Sequence, residues 1–213
     1  MSFFTNCNTP STTEEKPVVR AKEIRADNRV DTQAKEKVFK YQGLKFELDE
    51  GFELVETKEA LDLIDLENKI KSDAARYLIK EKMEFYLRLK IPVLYKINKN
   101  DQCDLVAFQE TTKVVFRKED LAIFTKEFNS SLAKRYGLKP TVLESNFGSN
   151  YNNKYFKSKQ FIDFNGNTEG TFSKYVISDK INPAKLIYFN MYIDSFGDQR
   201  NDHEDIIATL DLR

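Results

Sequence analysis

The sequence predicts an α+β fold: a mostly antiparallel sheet packed against amphipathic helices, in a single domain that follows a disordered N-terminal arm. Three observations predict it. Alternating apolar and polar runs open the domain in residues 38–56. A helical stripe of apolar residues occupies residues 118–136, and three strand-like runs separated by turns fill residues 155–194. The arm is placed at residues 1–36, which are rich in Pro, Ser, Thr and charge, and the domain at residues 37–213.

The opening segment predicts a β-hairpin followed by a further strand. Leu44, Phe46 and Leu48 alternate with polar residues, which is the period of a half-buried strand. Gly51 supplies a turn, because glycine adopts a positive φ without steric cost. Residues 52–55 then continue as the next strand.

Residues 58–91 carry two conflicting periodicities. Thr57 predicts a helix cap, and the chain from there to residue 82 is polar and contains neither Gly nor Pro. Its apolar residues recur at helical spacing, as a stripe of Leu63, Leu66, Ile70, Ala74, Tyr77 and Leu78. From residue 83 to residue 91 apolar residues alternate with others, which favours a strand, with a continued helix as the alternative.

The remainder predicts one clear helix and several strands. Further short strands are expected at residues 93–97, 105–109 and 113–116. The helix within residues 118–136 ends at Gly137, which is a typical helix stop. Its apolar stripe consists of Leu121, Phe124, Phe128, Leu132 and Tyr136, and we interpret it as core. The three strand-like runs form a simple meander, and a short helix within residues 203–212 closes the chain.

Composition excludes several functional classes. Lys and Arg together number 34, as do Asp and Glu, so the whole surface is not built to bind phosphate backbones. The chain has 7 Gly and no glycine-rich phosphate-binding motif, and we predict no cofactor. Cys7 and Cys103 match no disulfide framework, and Cys103 is expected to be a buried thiol. No run of residues is apolar enough to span a bilayer.

The acidic segment 194–205 is a candidate metal site or enzymatic site. Carboxylates and one imidazole are suitable ligands for Ca²⁺ or Mn²⁺. The candidate ligands are Asp198, Asp202, His203 and Asp205, with Asp194 and Glu204 beside them. The alternative is a solvated loop that caps the final helix. No nucleophile with an adjacent base is recognisable, so we predict no catalytic residue.

A basic and aromatic segment is the candidate binding site. An Asn- and Ser-rich loop is predicted at residues 144–154, followed by a strand with alternating Lys and aromatic residues. The candidate binding residues are Asn150, Tyr151, Lys154, Tyr155 and Lys157. Aromatic rings can stack on bases while Lys contacts phosphates, so nucleic acid is one possible ligand of Lys154 to Lys159 and the basic arm. A purely structural strand produces the same pattern.

The first residues contain a candidate lipidation site. Residues 3–6 and Cys7, followed by the polar residues 8–13, resemble the end of a bacterial lipoprotein signal. In such proteins a lipidated cysteine starts a polar tether, which would place the domain in a bacterial envelope. The alternative is a cytoplasmic protein whose disordered start contains an incidental cysteine.

The order of elements resembles the PsbP/Mog1-like α/β sandwich. The residues that carry the resemblance are the 121–136 stripe together with Tyr41, Gly43, Leu44, Phe46, Leu48, Gly51, Phe52, Ile206 and Ile207. The resemblance implies a binding or assembly factor without catalysis. Some bacterial members of that group are lipoproteins or secretion chaperones.

The sequence therefore favours a non-catalytic domain that binds another protein as an adaptor or assembly factor. It would use an exposed sheet face or the 144–154 loop, with the arm as a tether. The alternatives are a carboxylate- or metal-dependent enzyme that uses residues 194–205, and a nucleic-acid binder.

Overall fold

A computed structural model describes most of the predicted domain. The described residues are 38–41, 44–48, 51–98, 102–111, 117–149, 153–166, 168–179, 188–197 and 204–211. The predicted arm and the strand predicted at residues 113–116 lie outside them. Within the described residues the α+β fold with an antiparallel sheet is confirmed.

Seven antiparallel strands form the central sheet, in the order β3-β4-β5-β9-β8-β7-β6. They are β3 (Glu53–Val55), β4 (Val93–Asn98), β5 (Gln102–Thr111), β6 (Thr141–Ser149), β7 (Asn153–Asp163), β8 (Glu169–Asp179) and β9 (Tyr188–Phe196). The predicted meander is confirmed, and β6 extends it by one strand. Pairing of β9 with β5 joins the meander to the earlier strands.

The two faces of the sheet carry different layers, because successive side chains in a strand point to opposite sides. On β9, Phe189, Met191 and Ile193 enter one apolar cluster, whereas Tyr192 and Phe196 enter the other. We call the side of Tyr192 and Phe196 the helix face, since four helices contribute to its cluster. The opposite side is the hairpin face.

Two short capped helices and one long one replace the single long helix expected from residue 58. The helices are α1 (Lys58–Asp62), α2 (Leu66–Lys69), α3 (Asp73–Arg88) and α4 (Leu121–Tyr136), the last preceded by a 3-10 turn (Lys118–Asp120). Side chains of Thr57, Asp65 and Ser72 accept hydrogen bonds from backbone N–H groups three residues later. Each cap starts a new helix, so the positions that face the core have to be counted again from that cap.

The expected apolar stripe of residues 63–78 is therefore only partly correct. Leu66, Ile70 and Leu78 are buried. Leu63 and Tyr77 are exposed, as is Ala74. The stripe is counted along one continuous helix, but two turns interrupt that helix. Each turn changes the direction in which the following side chains point relative to the core.

The strand favoured at residues 83–91 is wrong, since α3 continues to Arg88. Ile79, Lys82, Met83 and Tyr86 are buried at helical spacing on one side of α3. Phe85 is also partly buried, because it packs beside the core. This second contact broadens the apolar side of the helix and produces the alternation seen in the sequence.

The hairpin face is covered by the opening hairpin and the closing helix. β1 (Val38–Tyr41) pairs with β2 (Leu44–Glu47) as a separate two-stranded sheet, and α5 (Glu204–Thr209) lies against β2. Backbone groups of Lys45 and Asp211 exchange two hydrogen bonds. The predicted hairpin and closing helix are both confirmed.

Two smaller sequence predictions are also confirmed. Gly137 ends α4 in the left-handed conformation, with φ of 67°, and donates its N–H to the carbonyl of Ala133. Cys103 is buried on β5, and burial raises the pKa of its thiol.

Substitution of Phe46 tests how strongly the hairpin is held on the sheet. Its ring is fully buried, with its centroid 4.6 Å from that of Phe108 on β5 and 5.9 Å from that of Phe39. We expect Phe46→Ala to lower the free energy of unfolding by about 3 to 5 kcal/mol in urea denaturation. Lys45→Ala is the control, because the Lys45 side chain is exposed on the same strand. Equal stability of the two variants would contradict a docked hairpin.

Candidate functional site

A closed cluster of polar side chains lies between the helix face and α3. Asp194 projects from β9, and Lys82 and Tyr86 lie one turn apart on α3. The Tyr86 hydroxyl donates to Asp194 Oδ2 at 2.6 Å, and Lys82 Nζ lies 3.4 Å from the same oxygen. All three side chains are buried, so the cluster is an internal ion pair completed by a phenol.

Lys82 also lies among aromatic rings. Its Nζ is 5.0 Å from the ring centroid of Tyr86, 5.2 Å from that of Phe172 and 5.8 Å from that of Phe85. Ring faces attract cations and partly replace the water lost on burial. Desolvation nevertheless lowers the pKa of Lys82, and the charge of Asp194 opposes that shift.

Tyrosines around Asp194 are held in their neutral form. Burial, followed by the Asp194 charge, raises the pKa of Tyr86 well above its ordinary value and raises that of Tyr192 to about 12. The same two causes raise the pKa of Tyr136. The Tyr136 hydroxyl and Asp194 Oδ1 are buried, and neither has a hydrogen-bond partner among the described residues.

A second ion pair joins the two long helices above this cluster. Arg135 Nη1 on α4 lies 3.1 Å from Glu81 Oε1 on α3. The Arg135 guanidinium carbon is 3.4 Å from the ring centroid of Phe85. These contacts bring α3 and α4 together over the sheet, and they leave the Lys82–Asp194 pair enclosed.

The acidic segment is only partly described. Asp194 is a buried strand residue whose charge is compensated by Lys82, so it is not part of a solvated acidic loop. Asp198, Asp202 and His203 lie outside the described residues. Glu204 and Asp205 begin α5, where the side chains are not described. Among the described residues, no group of three or more acidic, His or Cys side chains is placed to hold a metal ion.

The candidate binding residues divide between the two sheet faces. Lys154 is exposed on the helix face of β7, whereas Tyr155 and Lys157 project to the hairpin face. Lys157 is 2% exposed, and its Nζ lies 2.6 Å from Glu144 Oε2. Asn150 and Tyr151 lie outside the described residues. The structure therefore does not bring Lys154 and Lys157 together in one basic patch.

The loop predicted from residue 144 is wrong over residues 144–149, which belong to β6. Polar residues of low strand propensity are held there by specific contacts. Asn146 Nδ2 donates to Glu144 Oε1 at 2.7 Å, and Glu144 is paired with Lys157 on β7. The Tyr155 ring occupies the space where a side chain on Gly148 would lie, so glycine allows the ring to cover the strand.

β6 is a nine-residue edge strand, and sequence reasoning missed it as a functional feature. No strand among the described residues pairs with its outer side. Val142 and Leu143 are 45% and 39% exposed, although both are apolar. A register shift between Val142 and Glu144 marks a bulge at its start, and the pairing with β7 is regular from Glu144 to Ser149.

Helix α4 holds this edge in place. The hydroxyls of Thr125 and Ser145 are 2.6 Å apart. Asn129 Nδ2 donates to the carbonyl of Pro140 at 3.2 Å and to Gln160 Oε1 at 2.7 Å. The strand is thus fixed by side chains of its neighbours as well as by the sheet ladder.

Comparison with protein-family models, with curated proteins and with solved structures finds no match for the chain. In the part of the chain that the structure describes, no helix is both long and apolar enough to cross a membrane.

Removal of Lys82 tests the buried ion pair. Lys82→Met leaves a buried carboxylate without its cation, and we expect a loss of about 3 to 5 kcal/mol in the free energy of unfolding. Lys82→Met combined with Asp194→Asn removes both charges and keeps an acceptor for Tyr86, so this double variant should be more stable than Lys82→Met alone. Lys80→Met, at an exposed ion pair with Asp62, is the matched control. A loss no larger than that of the control would refute the role of the pair.

The buried tyrosines predict a loss of stability at alkaline pH. An unfolded chain releases phenolic protons near the ordinary pKa of 10.0, whereas the folded protein retains them to higher pH. The unfolded state then binds fewer protons, so stability falls as pH rises. The lowered pKa of Lys82 has the opposite effect, because it makes stability rise with pH. This effect is confined to pH values below the ordinary pKa of 10.5.

We therefore expect the urea midpoint to fall as pH is raised from about 10.5 to about 12. Tyr192→Phe should make this fall shallower, since it removes one of the groups whose pKa is raised. Tyr77→Phe should leave the fall unchanged, because Tyr77 is exposed. A midpoint independent of pH in this window would contradict the prediction.

Proposed function

We propose that the chain is a protein-binding domain that takes up an extended segment of a partner along the outer edge of β6. The observation that carries the proposal is the exposed nine-residue edge strand. An edge strand offers backbone N–H and C=O groups to an added strand, which provides affinity without any particular side chain. Nine residues present about 30 Å of backbone.

The edge lacks most of the features that protect sheet edges from pairing. Natural edges are shortened, bulged or charged. The opposite edge, β3, has three residues, whereas β6 has nine. The one charged residue of β6 is Glu144, and Lys157 compensates its charge. The remaining protection is the bulge at the start of the strand.

Side chains beside the edge predict the character of the partner. Val142 and Phe147 project to the helix face, and Glu144 and Asn146 project to the hairpin face. An added strand would place its own side chains alternately beside these two sets. We therefore expect a partner segment whose apolar and polar residues alternate.

Rigidity of the edge supports the proposal further. The contacts of Thr125 and Asn129 fix β6 before any partner arrives. A preorganised surface binds more tightly because less conformational freedom is lost on binding. The resemblance to PsbP/Mog1-like proteins agrees with a binding or assembly role.

The two alternatives have less support from the described residues. Asp194 is enclosed with Lys82, which does not favour an enzyme built on the acidic segment. Lys157 and Lys159 are buried, which does not favour a basic surface for nucleic acid. The arm as a tether and Cys7 as a lipidation site stay predictions.

A displayed library of random linear peptides tests strand addition at β6. Selected peptides should slow hydrogen exchange at the β6 amides, because added backbone bonds protect them. Val142→Lys combined with Leu143→Lys should weaken binding by about tenfold or more, since lysine on an edge opposes strand pairing. Both positions are exposed, so stability should change by less than about 0.5 kcal/mol.

The control is Ile123→Lys, at an exposed apolar residue on α4. This variant should keep full affinity for the selected peptides. Peptides that protect other segments, or that bind the double-lysine variant equally well, would refute strand addition at β6.

A further inference from the structure

A second exposed apolar surface lies at the other end of the sheet. Leu63 is 85% exposed and Tyr77 is 71% exposed, the two largest values among the large apolar side chains that the structure describes. Between them runs an open groove of about 530 Å³, which we call the Leu63–Tyr77 groove. Its lining includes Leu63, Ile64, Asp65, Glu67, Tyr77 and Lys80.

Helix geometry forces these two side chains outward. Leu63 caps α1, and its backbone N–H is bonded to the carbonyls of Ala60 and Leu61. Leu61 and Leu66 on either side of this turn are buried. Tyr77 lies on the side of α3 opposite its buried residues. The core therefore does not account for the apolar character of Leu63 and Tyr77.

The two cations that line the groove, Lys80 and Arg76, are already engaged with other groups. Lys80 Nζ lies 3.5 Å from Asp62 Oδ1. Arg76 pairs with Asp73 and donates to the carbonyls of Ile70 and Lys71 at 2.7 and 3.2 Å. These contacts satisfy the positive side chains of the groove without using its remaining carboxylates.

Two carboxylates give the groove a negative rim. Asp65 accepts hydrogen bonds from the Asn68 side chain and backbone, and these bonds lower the pKa of Asp65. Glu67 lies two residues further on in α2. Among the described residues, neither carboxylate forms an ion pair with Lys or Arg. Lys69 also lowers the pKa of Asp65 through its charge, so the rim is only partly compensated. The groove thus combines exposed apolar groups with a lining in which the three carboxylates of Asp62, Asp65 and Glu67 outnumber the two cations, Arg76 and Lys80.

We propose that the Leu63–Tyr77 groove binds a partner segment that presents an apolar side chain next to a Lys or Arg. Large apolar side chains that are exposed together mark an interaction site more often than single exposed apolar residues do. Opposite charge at its rim selects and steers the partner. An acidic segment would be repelled by Asp65 and Glu67.

This surface is distinct from the edge of β6. α1 contacts β3 and α3 packs on β4 and β5, whereas β6 ends the sheet on the other side. Six strand spacings separate the two edges, which is about 29 Å. The groove therefore goes beyond the proposed function, because one domain could hold two partners at once.

The test uses a displayed peptide library selected against the full chain carrying Val142→Lys and Leu143→Lys. Selection on this background keeps the result independent of strand addition at β6. The expected consensus is an aliphatic or aromatic residue close to Lys or Arg. Leu63→Ser combined with Tyr77→Ser should weaken the binding of selected peptides by about tenfold or more.

Charge is tested by Asp65→Asn combined with Glu67→Gln. Asparagine keeps the capping acceptor for Asn68, so the helix is preserved while the charge is removed. Affinity should fall by about two- to fivefold, and the remaining binding should depend less on salt. Ile123→Ser is the matched control, since it removes an exposed apolar residue elsewhere, and it should keep full affinity. Thermal unfolding of every variant checks that the fold is retained.

Three results would overturn the proposal. They are a library without enrichment, an acidic consensus, and peptides that bind the Leu63→Ser and Tyr77→Ser variant as tightly as its parent. Sedimentation velocity, which measures the oligomeric state, tests whether a second copy of the chain occupies the groove instead. A dimer that Leu63→Ser and Tyr77→Ser dissociates would assign the groove to a second copy of the chain, which also overturns the proposal.

Discussion

Pairing between β5 and β9 is the constraint on which the rest of the structure depends. Nine residue pairs, from Cys103 with Phe196 to Thr111 with Tyr188, join the early strands to the meander. Both apolar clusters are continuous across this junction, because alternate residues of each strand enter opposite faces. Asp194 also lies on β9, so the same pairing positions the carboxylate that holds Lys82 and α3.

The sequence pattern predicts the meander, α4 and the opening hairpin. β2 buries alternate residues, and α4 buries Phe128 and Leu132 of its stripe. The strands of the meander bury side chains on both faces, so their length and the turns between them, rather than a single stripe, indicate strands. The alternation over residues 83–88 favours a strand although these residues belong to α3, because Phe85 also packs against the core beside the buried side of the helix. The caps at Asp65 and Ser72 interrupt the helix over which the apolar stripe of residues 63–78 is counted, so Leu63 and Tyr77 are exposed despite their helical spacing.

The candidate sites depended on contacts that sequence spacing does not contain. Residues 144–149 of β6 favour a loop in the sequence, because Glu, Ser, Asn and Gly have a low propensity for strands. What holds it as a strand comes from Lys157, Thr125 and Tyr155, which are distant in sequence or lie on another element. Likewise, Lys82 and Asp194 are separated by more than a hundred residues, and neither residue alone predicts the pair.

In the described residues, paired charges lie inside the domain, and exposed apolar groups lie at the two ends of the sheet. Inside the domain, charge is enclosed and compensated at Lys82 with Asp194, and over the sheet at Arg135 with Glu81. At the two ends of the sheet, apolar side chains and backbone are presented to solvent. The enclosed charges lie in the interior, whereas the outer edge of β6 and the Leu63–Tyr77 groove are accessible at the surface.

The bridge between Lys45 and Asp211 has a consequence for synthesis on the ribosome. β2 receives α5 only after residue 211 has left the exit tunnel, and β5 receives β9 only after residue 196. Until then the nascent chain carries β4 and β5 with an unpaired inner edge. Chains that wait for distant partners fold late and are exposed to aggregation. The N-terminal half of this chain is therefore most exposed to aggregation before β9 is synthesised.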